Sequence, residues 1–408
     1  MRPGMLLWPP VTTSGRVAIV HDYLNQYGGA ERVLEAIHDL YPQAPVYTAI
    51  YDPAAMPPAY RTWDIRTSWM QKLPGWRRHF RHYFVLYPSA FESFDLSNYD
   101  LVLSSSSAFA KGIIPRHDAL HVCYCHTPMR FGWRTAAYVD REHIYGFQGR
   151  ILPLVLTYLR TWDVASSVRV DAFIANSHQV ARRIQRYYGR PATVIPPPVD
   201  LPAYEPGPPE DFYLTGGRLV PYKRIDLAVR ACTALALPLV VFGDGRARPE
   251  LEAIAGPTVR FVGHVDEPTL HDLYRRCRAY ITAGEEDAGI QPVEAMAAGR
   301  PVIAFASGGT LETVVDGVTG RFFHEQSAAA VAVAIGQSRL DTWDAQEIRS
   351  HAEKFGRDRF MARMREAIET AAAQAECRNT SGSASRSSDI MEGNLARRSI
   401  RVGVERED

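Results

Sequence analysis

"DFYLTGGRLVPYKRIDLAV", residues 211–229, reads as strand, glycine turn and helix: an apolar run closes on two glycines, and apolar residues recur at helical spacing from residue 224 onward. Arg218 and Lys223 fall in the polar bend between the two halves. Taken alone, two cations there read equally well as solvated surface charge. The unit then repeats. "PLVVFGDG", "VRFVGH", "AYITAG" and "PVIAFASGG" are strand-like, with helical patterns over 248–254, 268–278, 292–298 and 310–315. Alternation of this kind predicts a parallel α/β sheet.

The first half follows the same plan less regularly. "RVAIVHDY" leads through "LNQYGG" into "AERVLEAIHDLY", where Val33, Leu34, Ile37 and Leu40 lie at helical spacing, and "APVYTAIYD", "DLVLSSSS", "LHVCYCHTP" and "DAFIANSH" read as further strands. Between the halves, "IPPPVDLPAYEPGPP" (195–209) has the composition of a linker. The expectation is two Rossmann-like α/β domains, 15–197 and 211–355, joined by a proline-rich hinge at 198–210 and facing across a cleft. Small-molecule sites in such sheets lie outside the carboxyl ends of the strands. Segment 356–374 carries a helical stripe at Phe360, Met361, Met364 and Ile368, and the polar, Ser-rich stretch 375–408 is expected to be disordered.

A chain of 408 residues exceeds one ordinary core. Its formal net charge of +1 excludes the strongly basic balance of a nucleic-acid binder, so any anionic partner is met locally. The five cysteines are odd in number, which fits a reducing compartment better than a disulfide framework. Cys123 and Cys125 sit in an alternating apolar run with no second Cys pair or HxxxH following, so they read as strand residues rather than zinc ligands. "MRPGMLLWPPVTTSGR" has too short an apolar core for a secretory signal, and no apolar run reaches about 20 residues. The expected location is the cytoplasm.

"EEDAGIQPVEAMAAG", residues 285–299, carries the chemistry. Glu286 and Glu294 are separated by seven residues; Pro292 suits a first helical position and Gly299 a helix stop. Glu294 is therefore expected in the first turn, where the helix dipole stabilises its charged form and it can accept hydrogen bonds from a pair of sugar hydroxyls. The loop from Glu286 through Asp287, Ala288, Gly289 and Ile290 offers backbone amides to an anion. A carboxylate that merely favours its own helix end accounts for Glu294 but not for this loop.

On these motifs the chain resembles the retaining glycosyltransferases of family 4, which have the GT-B fold. Their hallmark is a Glu, seven residues, Glu element followed by an "EAMAAGxPVIA"-like helix and strand. The likeness extends through "GRLVPYKRIDLAV", "VVFGDG", "FVGHV" and "GGTLETVVDGVTG", covering most of 211–325. It is less dense through "HDYLNQYGGAERV", "SSSSAFAKG", "CYCHTPMR", "ANSHQVARRI" and "VIPPPVD".

The resemblance implies a hexosyltransferase in which Arg218 and Lys223 bind the diphosphate of a nucleotide sugar. Fixed cations there stabilise the charge that grows on the departing phosphate. It also implies that Glu286 contacts hydroxyls of the donor sugar, Glu294 the ribose, and the amides of Gly289 and Ile290 the sugar or phosphate. Gly28 and Gly29 would let the backbone approach the diphosphate from the opposite domain, and His126 would reach the donor sugar, although a lone His in "CYCHTPMR" otherwise reads as structural. Segment 356–374 would cross back to the first domain. No Asp-x-Asp element stands at a plausible turn, so neither a metal nor another cofactor is expected. Retention points to front-face attack with the leaving phosphate taking the acceptor proton, and no nucleophile or general base is assigned.

The "EEDxGIxPVEA" form, with "HTPMR", looks most like mannosyltransferases that use GDP-mannose in polysaccharide synthesis, with saccharide or polyprenyl-linked saccharide acceptors. Ala288 and Gln291 depart from that pattern, where an aromatic and an aliphatic residue are usual, and this leaves a UDP-sugar open as donor. Two other classes share the fold: a nucleotide-sugar 2-epimerase and a non-catalytic sugar-nucleotide-binding scaffold. Arg218, Lys223, Glu286 and Glu294 together favour the transferase over both.

On the acceptor side, "GWRRHFRHYFVLYP" (75–88) puts Trp76, Phe80, Tyr83, Phe84 and Tyr87 on one face of a helical wheel, opposite Arg77, Arg78, Arg81 and His82. Two readings stand. The helix lies peripherally in an anionic membrane interface, as a lipid-linked acceptor would favour, or the aromatics pack on the sheet and the arginines are solvated.

Overall fold

The computed structural model describes residues 15–133, 147–201 and 206–377, with side chains from 152 onward in the middle stretch. The first sheet has seven strands: β1 (Val17–His21), β2 (Val46–Thr48), β3 (Ile65–Thr67), β4 (Leu101–Ser106), β5 (Leu120–Cys125), β6 (Ala172–Ala175) and β7 (Ala192–Val194), in the order β3-β2-β1-β4-β5-β6-β7. The second has six: β8 (Tyr213–Gly216), β9 (Leu239–Phe242), β10 (Val259–Gly263), β11 (Ala279–Thr282), β12 (Val302–Phe305) and β13 (Gly320–Phe323), in the order β10-β9-β8-β11-β12-β13. Every pairing within the two sheets is parallel.

Every residue of β4 and β5 is buried, as a parallel strand covered on both faces requires. The edge strands β3 ("IRT") and β7 ("ATV") are three residues long, too short to leave a pattern in the sequence. Strand order reverses between β1 and β4 in one sheet and between β8 and β11 in the other. A crevice opens outside the carboxyl ends at each reversal, and the loops after β1, β8 and β11 stand at its rim.

Residues 357–377 form a helix that packs on the first domain: Phe360, Met364, Ile368 and Ala371 are buried in one cluster with Ile19, Val33 and Ile37. It runs three residues beyond the segment expected from its apolar stripe. The chain crosses between domains twice at one place, where Val199 N donates to Phe355 O at 2.9 Å. The expectations for the first 14 residues and for 378–408 fall outside the described residues.

The stretch 75–88 is not one helix. Trp76–His79 makes a single turn after Gly75 at φ 62°, turns follow, and a separate helix begins at Tyr87. Its aromatics are already covered: Trp76, Phe80, Tyr83 and Phe84 pack against a cluster containing Tyr87, Phe91 and Phe109. The arginines stay outside, Arg77 over the Trp76 ring and 3.1 Å from Asp52, Arg81 over Phe80. Tyr87 is fully buried and the other four aromatics are half-buried against the domain, as the packed reading expects, while the single lipid-facing helix is not formed.

Behind this face Lys111 is buried, its Nζ 2.7 Å from Asp163 Oδ1 and donating to Ser166 Oγ at 2.9 Å. Asp163 also accepts from Trp133 Nε1 at 2.7 Å and from the Tyr188 hydroxyl. The network ties the loop after β4 to the helices Phe147–Ser167 and His178–Tyr188. Replacing one partner strands the other's charge. Lys111→Met is expected to cost about 3–5 kcal/mol of stability by urea denaturation, and a loss below about 1 kcal/mol would show the pair to be dispensable.

Candidate functional site

The loops after β8 and β11 meet at the second crevice. Arg218 follows Gly217 at the end of β8 and is exposed, with a 3.4 Å hydrogen bond to the Tyr222 hydroxyl. Lys223 ends the short turn Pro221–Lys223. Its Nζ lies 3.0 Å from Glu286 Oε1 and donates to Gln291 Oε1 at 2.9 Å. The loops touch because Gly284 has no side chain: a Cβ there would stand 2.8 Å from Lys223 Cα. A cation and a carboxylate 63 residues apart in the chain thus form one pair, with Gln291 as the third member.

The helix Ile290–Ala297 is capped by Gly289, at φ 72°. It begins two residues earlier than the sequence suggested, so Pro292 is its third residue and Glu294 stands in the second turn, not the first. The charge of Glu294 is met by side chains instead of the helix end. Arg32, on the helix Gly29–Leu40 of the other domain, donates to Oε1, and the Tyr274 hydroxyl donates to Oε2 at 3.0 Å. Burial opposes the charge of the Arg32 guanidinium, yet Glu294, Tyr27 and Glu267 hold its pKa above the ordinary value. Gly29 lies close to Ile290 across the cleft, where a Cβ on it would stand 2.6 Å from Ile290 Cδ1, the mobile end of that side chain. Gly28, at φ −170°, has a backbone open to any residue.

Further contacts cross the cleft that the sequence did not single out. Asp287 accepts from Arg130 and, at 2.5 Å, from Arg183. Glu285 accepts from Arg183 at 3.1 Å and from Gln179 at 3.0 Å. Glu312 accepts from the backbone N–H groups of His178 and Gln179, at 2.8 and 3.1 Å, at the start of the helix His178–Tyr188. One signal for them was present: three successive acids, Glu285, Glu286 and Asp287, repel one another unless cations are brought to them. A crevice of about 510 Å³ opens on the hinge side of this loop, lined by Asn176, His178, Ala288, Gly309, Glu312 and Arg363.

His126 directly follows β5, and its Nε2 lies 2.8 Å from Ser105 Oγ. Burial brings the pKa of its imidazolium down to about 3, so the ring is neutral in ordinary buffers and serves as a hydrogen-bonding group. Trp76, Arg77, Arg78 and Phe80 are not part of this constellation. Arg81 stands closer: the Tyr23 hydroxyl, pushed up to about 12 by burial first and then by Asp22 and Glu31, feels Arg81 and Arg218 as opposing charges. Among the described residues no group of His, Cys, Asp or Glu is arranged to hold a metal ion.

Comparison with known proteins finds two family models that match adjoining stretches of the chain. Residues 27–202 match the Glycosyltransferase Family 4 model and residues 203–357 the model for glycosyl transferases group 1. D-inositol 3-phosphate glycosyltransferase 2 of Catenulispora acidiphila is 32% identical over 226 residues, 46% of this chain and 53% of that protein. D-inositol 3-phosphate glycosyltransferase of Kribbella flavida is 29% identical over 50% of this chain and 58% of its own length. The chain thus spans about half the length of the curated relatives it matches. Among solved structures, HepE of Anabaena in complex with UDP and glucose superposes with a TM-score of 0.62 at 18% identity, covering 87% of this chain and 99% of that one. Sucrose-phosphate synthase of Thermosynechococcus elongatus gives 0.60 at 20%, over 90% and 100%. These likenesses establish the GT-B fold.

The cross-cleft clamp has a measurable consequence. Asp287→Asn keeps the shape of the side chain but leaves Arg130 and Arg183 without their shared anion, weakening the domain contact by about 2 kcal/mol or more. Small-angle scattering of the nucleotide-free protein is expected to show a larger radius of gyration for this variant, and an unchanged radius would contradict the clamp.

Proposed function

We propose that this chain, which joins a Family 4 glycosyltransferase domain to a group 1 glycosyl transferase domain, moves a hexose from a nucleoside diphosphate to a saccharide acceptor with retention of configuration. The observation that carries this is the pairing of Lys223 with Glu286 at the switch point of the second sheet, with Arg218 in the same loop as Lys223 and Glu294 in the helix that follows Glu286. Anionic phosphates suit the cations, and sugar hydroxyls suit the carboxylates. Scission of the bond from the anomeric carbon to the phosphate oxygen leaves charge on that oxygen. Arg218 and Lys223 stabilise it more as it grows, which lowers the barrier and not merely the ground state. The acceptor oxygen attacks from the face the phosphate leaves, and its proton passes to the phosphate oxygen. His126, neutral and held in place, contacts a hydroxyl of the donor sugar.

Binding a donor requires an exchange of partners. Glu294 releases Arg32 to take the ribose, and Lys223 shares its charge between Glu286 and the diphosphate. GDP-mannose is the donor we propose on the form of the 286–294 element, with a UDP-sugar as second reading because Ala288 and Gln291 alter the pocket. The acceptor we propose is a saccharide, free or polyprenyl-linked. Exposed Arg77, Arg78 and Arg81 would meet an anionic acceptor or a lipid headgroup by charge alone, and no described helix is long and apolar enough to cross a membrane.

Calorimetric titration with GDP, UDP and ADP tests the reading. One diphosphate is expected to bind, and Lys223→Ala to weaken it about 10- to 100-fold by removing one charged hydrogen bond. A folded protein that binds none of the three would remove the transferase reading.

A further inference from the structure

A chain of four hydrogen-bonded side chains crosses the first sheet and ends on His126. Parallel register sets it up: His21, the last residue of β1, pairs with Ser105 of β4, and Ser105 pairs with Tyr124 of β5. The two-residue period of a strand brings His126 to the same face as Tyr124, its own N–H donating to Ser106 O at 2.8 Å. His126 Nε2 lies 2.8 Å from Ser105 Oγ, Ser105 Oγ lies 3.1 Å from His21 Nδ1, and His21 Nε2 lies 3.4 Å from Glu31 Oε1. Glu31, His21 and Ser105 are 4%, 2% and 0% exposed. Three polar side chains buried this deeply are tolerated only when their hydrogen bonds are made.

The donor directions follow from the acid at the far end. A carboxylate only accepts, so Nε2 of His21 carries a proton, and a ring with that single proton presents Nδ1 as an acceptor. Ser105 has one proton and gives it to His21 Nδ1. Its oxygen then accepts from His126, which must hold its own proton on Nε2 and leave Nδ1 bare.

We propose that Glu31, His21 and Ser105 are positioning residues that fix His126 in the Nε2–H tautomer, so that the ring offers the donor sugar a hydrogen-bond acceptor at Nδ1. This rests on the reading above that His126 meets the donor sugar. It adds that the sugar must present a hydroxyl proton at that point. The neutrality of His126 is consistent with it, because an imidazolium would carry protons on both nitrogens.

Nitrogen-15 spectra of the full chain labelled at histidine test the chain without any substrate, so the result is separate from the fate of the transferase reading. The His126 signals are identified by their loss in His126→Gln. The expected spectrum shows a protonated Nε2 and a bare Nδ1. Ser105→Ala is expected to shift the ring to a mixture of tautomers, and Ser105→Thr, which keeps the hydroxyl, to retain the original one. Glu31→Gln, whose amide can donate to His21, is expected to raise the Nδ1–H population, and it serves if Ser105→Ala does not fold. A wild-type ring protonated at Nδ1, or a tautomer unmoved in both folded variants, overturns the proposal. In turnover assays Ser105→Ala is expected to lower kcat about tenfold, the size of one lost hydrogen bond, with nucleotide affinity unchanged. The double variant with His126→Gln should be no worse than His126→Gln alone, and losses that add instead would also overturn it.

Discussion

Three consecutive carboxylates, Glu285, Glu286 and Asp287, crowd the loop after β11, and the arrangement of the two domains depends on how their charge is met. Two unit charges 4 Å apart interact by about 1 kcal/mol in water and about 4 kcal/mol near a protein surface, so the loop is held only with cations beside it. Lys223 comes from the same domain and reaches Glu286. Arg183 and Arg130 come from the other domain, the first reaching Glu285 and Asp287, the second Asp287. Arg32 does the same for Glu294. Acids on the rim of one domain and cations on the rim of the other thus meet across the cleft.

Such a cleft suits a polyanionic ligand that carries many hydroxyls. A nucleoside diphosphate sugar can replace protein charges on both sides, phosphates taking over cations and hydroxyls taking over carboxylates, with little net loss of pairing. The hinge sits where Val199 meets Phe355 and Gly356, and the helix 357–377 anchors the far end of the chain to the first domain. Domain motion about this crossing can admit the ligand without breaking either core. The helix start at Gly29 lies against the helix start at Ile290 across the cleft.

Much of this was legible in the sequence because it rests on local pattern. Buried parallel strands such as "LVLSSS" and "LHVCYC", the glycine turns, and the cations at the end of β8 follow from periodicity and composition. The edge strands β3 and β7 were not, since three residues carry no period. The 75–88 stretch misled because a helical wheel assumes continuity, which Gly75 and the turns after His79 break. Pro292 suggests a helix start that puts Glu294 in the first turn, whereas Gly289 caps the helix and Glu294 falls in the second. The contacts of Arg32, Arg130 and Arg183, and the relay through His21 and Ser105, join residues up to 262 positions apart. Tertiary pairing of that range leaves no trace in a single chain's spacing.

In the function proposed, both domains contribute to one nucleotide-sugar site. Hydrogen–deuterium exchange with and without a saturating nucleoside diphosphate tests this. Changed protection is expected on both sides of the cleft together, in 29–40 of the first domain and in 218–223 and 286–297 of the second. Changes confined to the second domain, with the first helix unaffected, would contradict it.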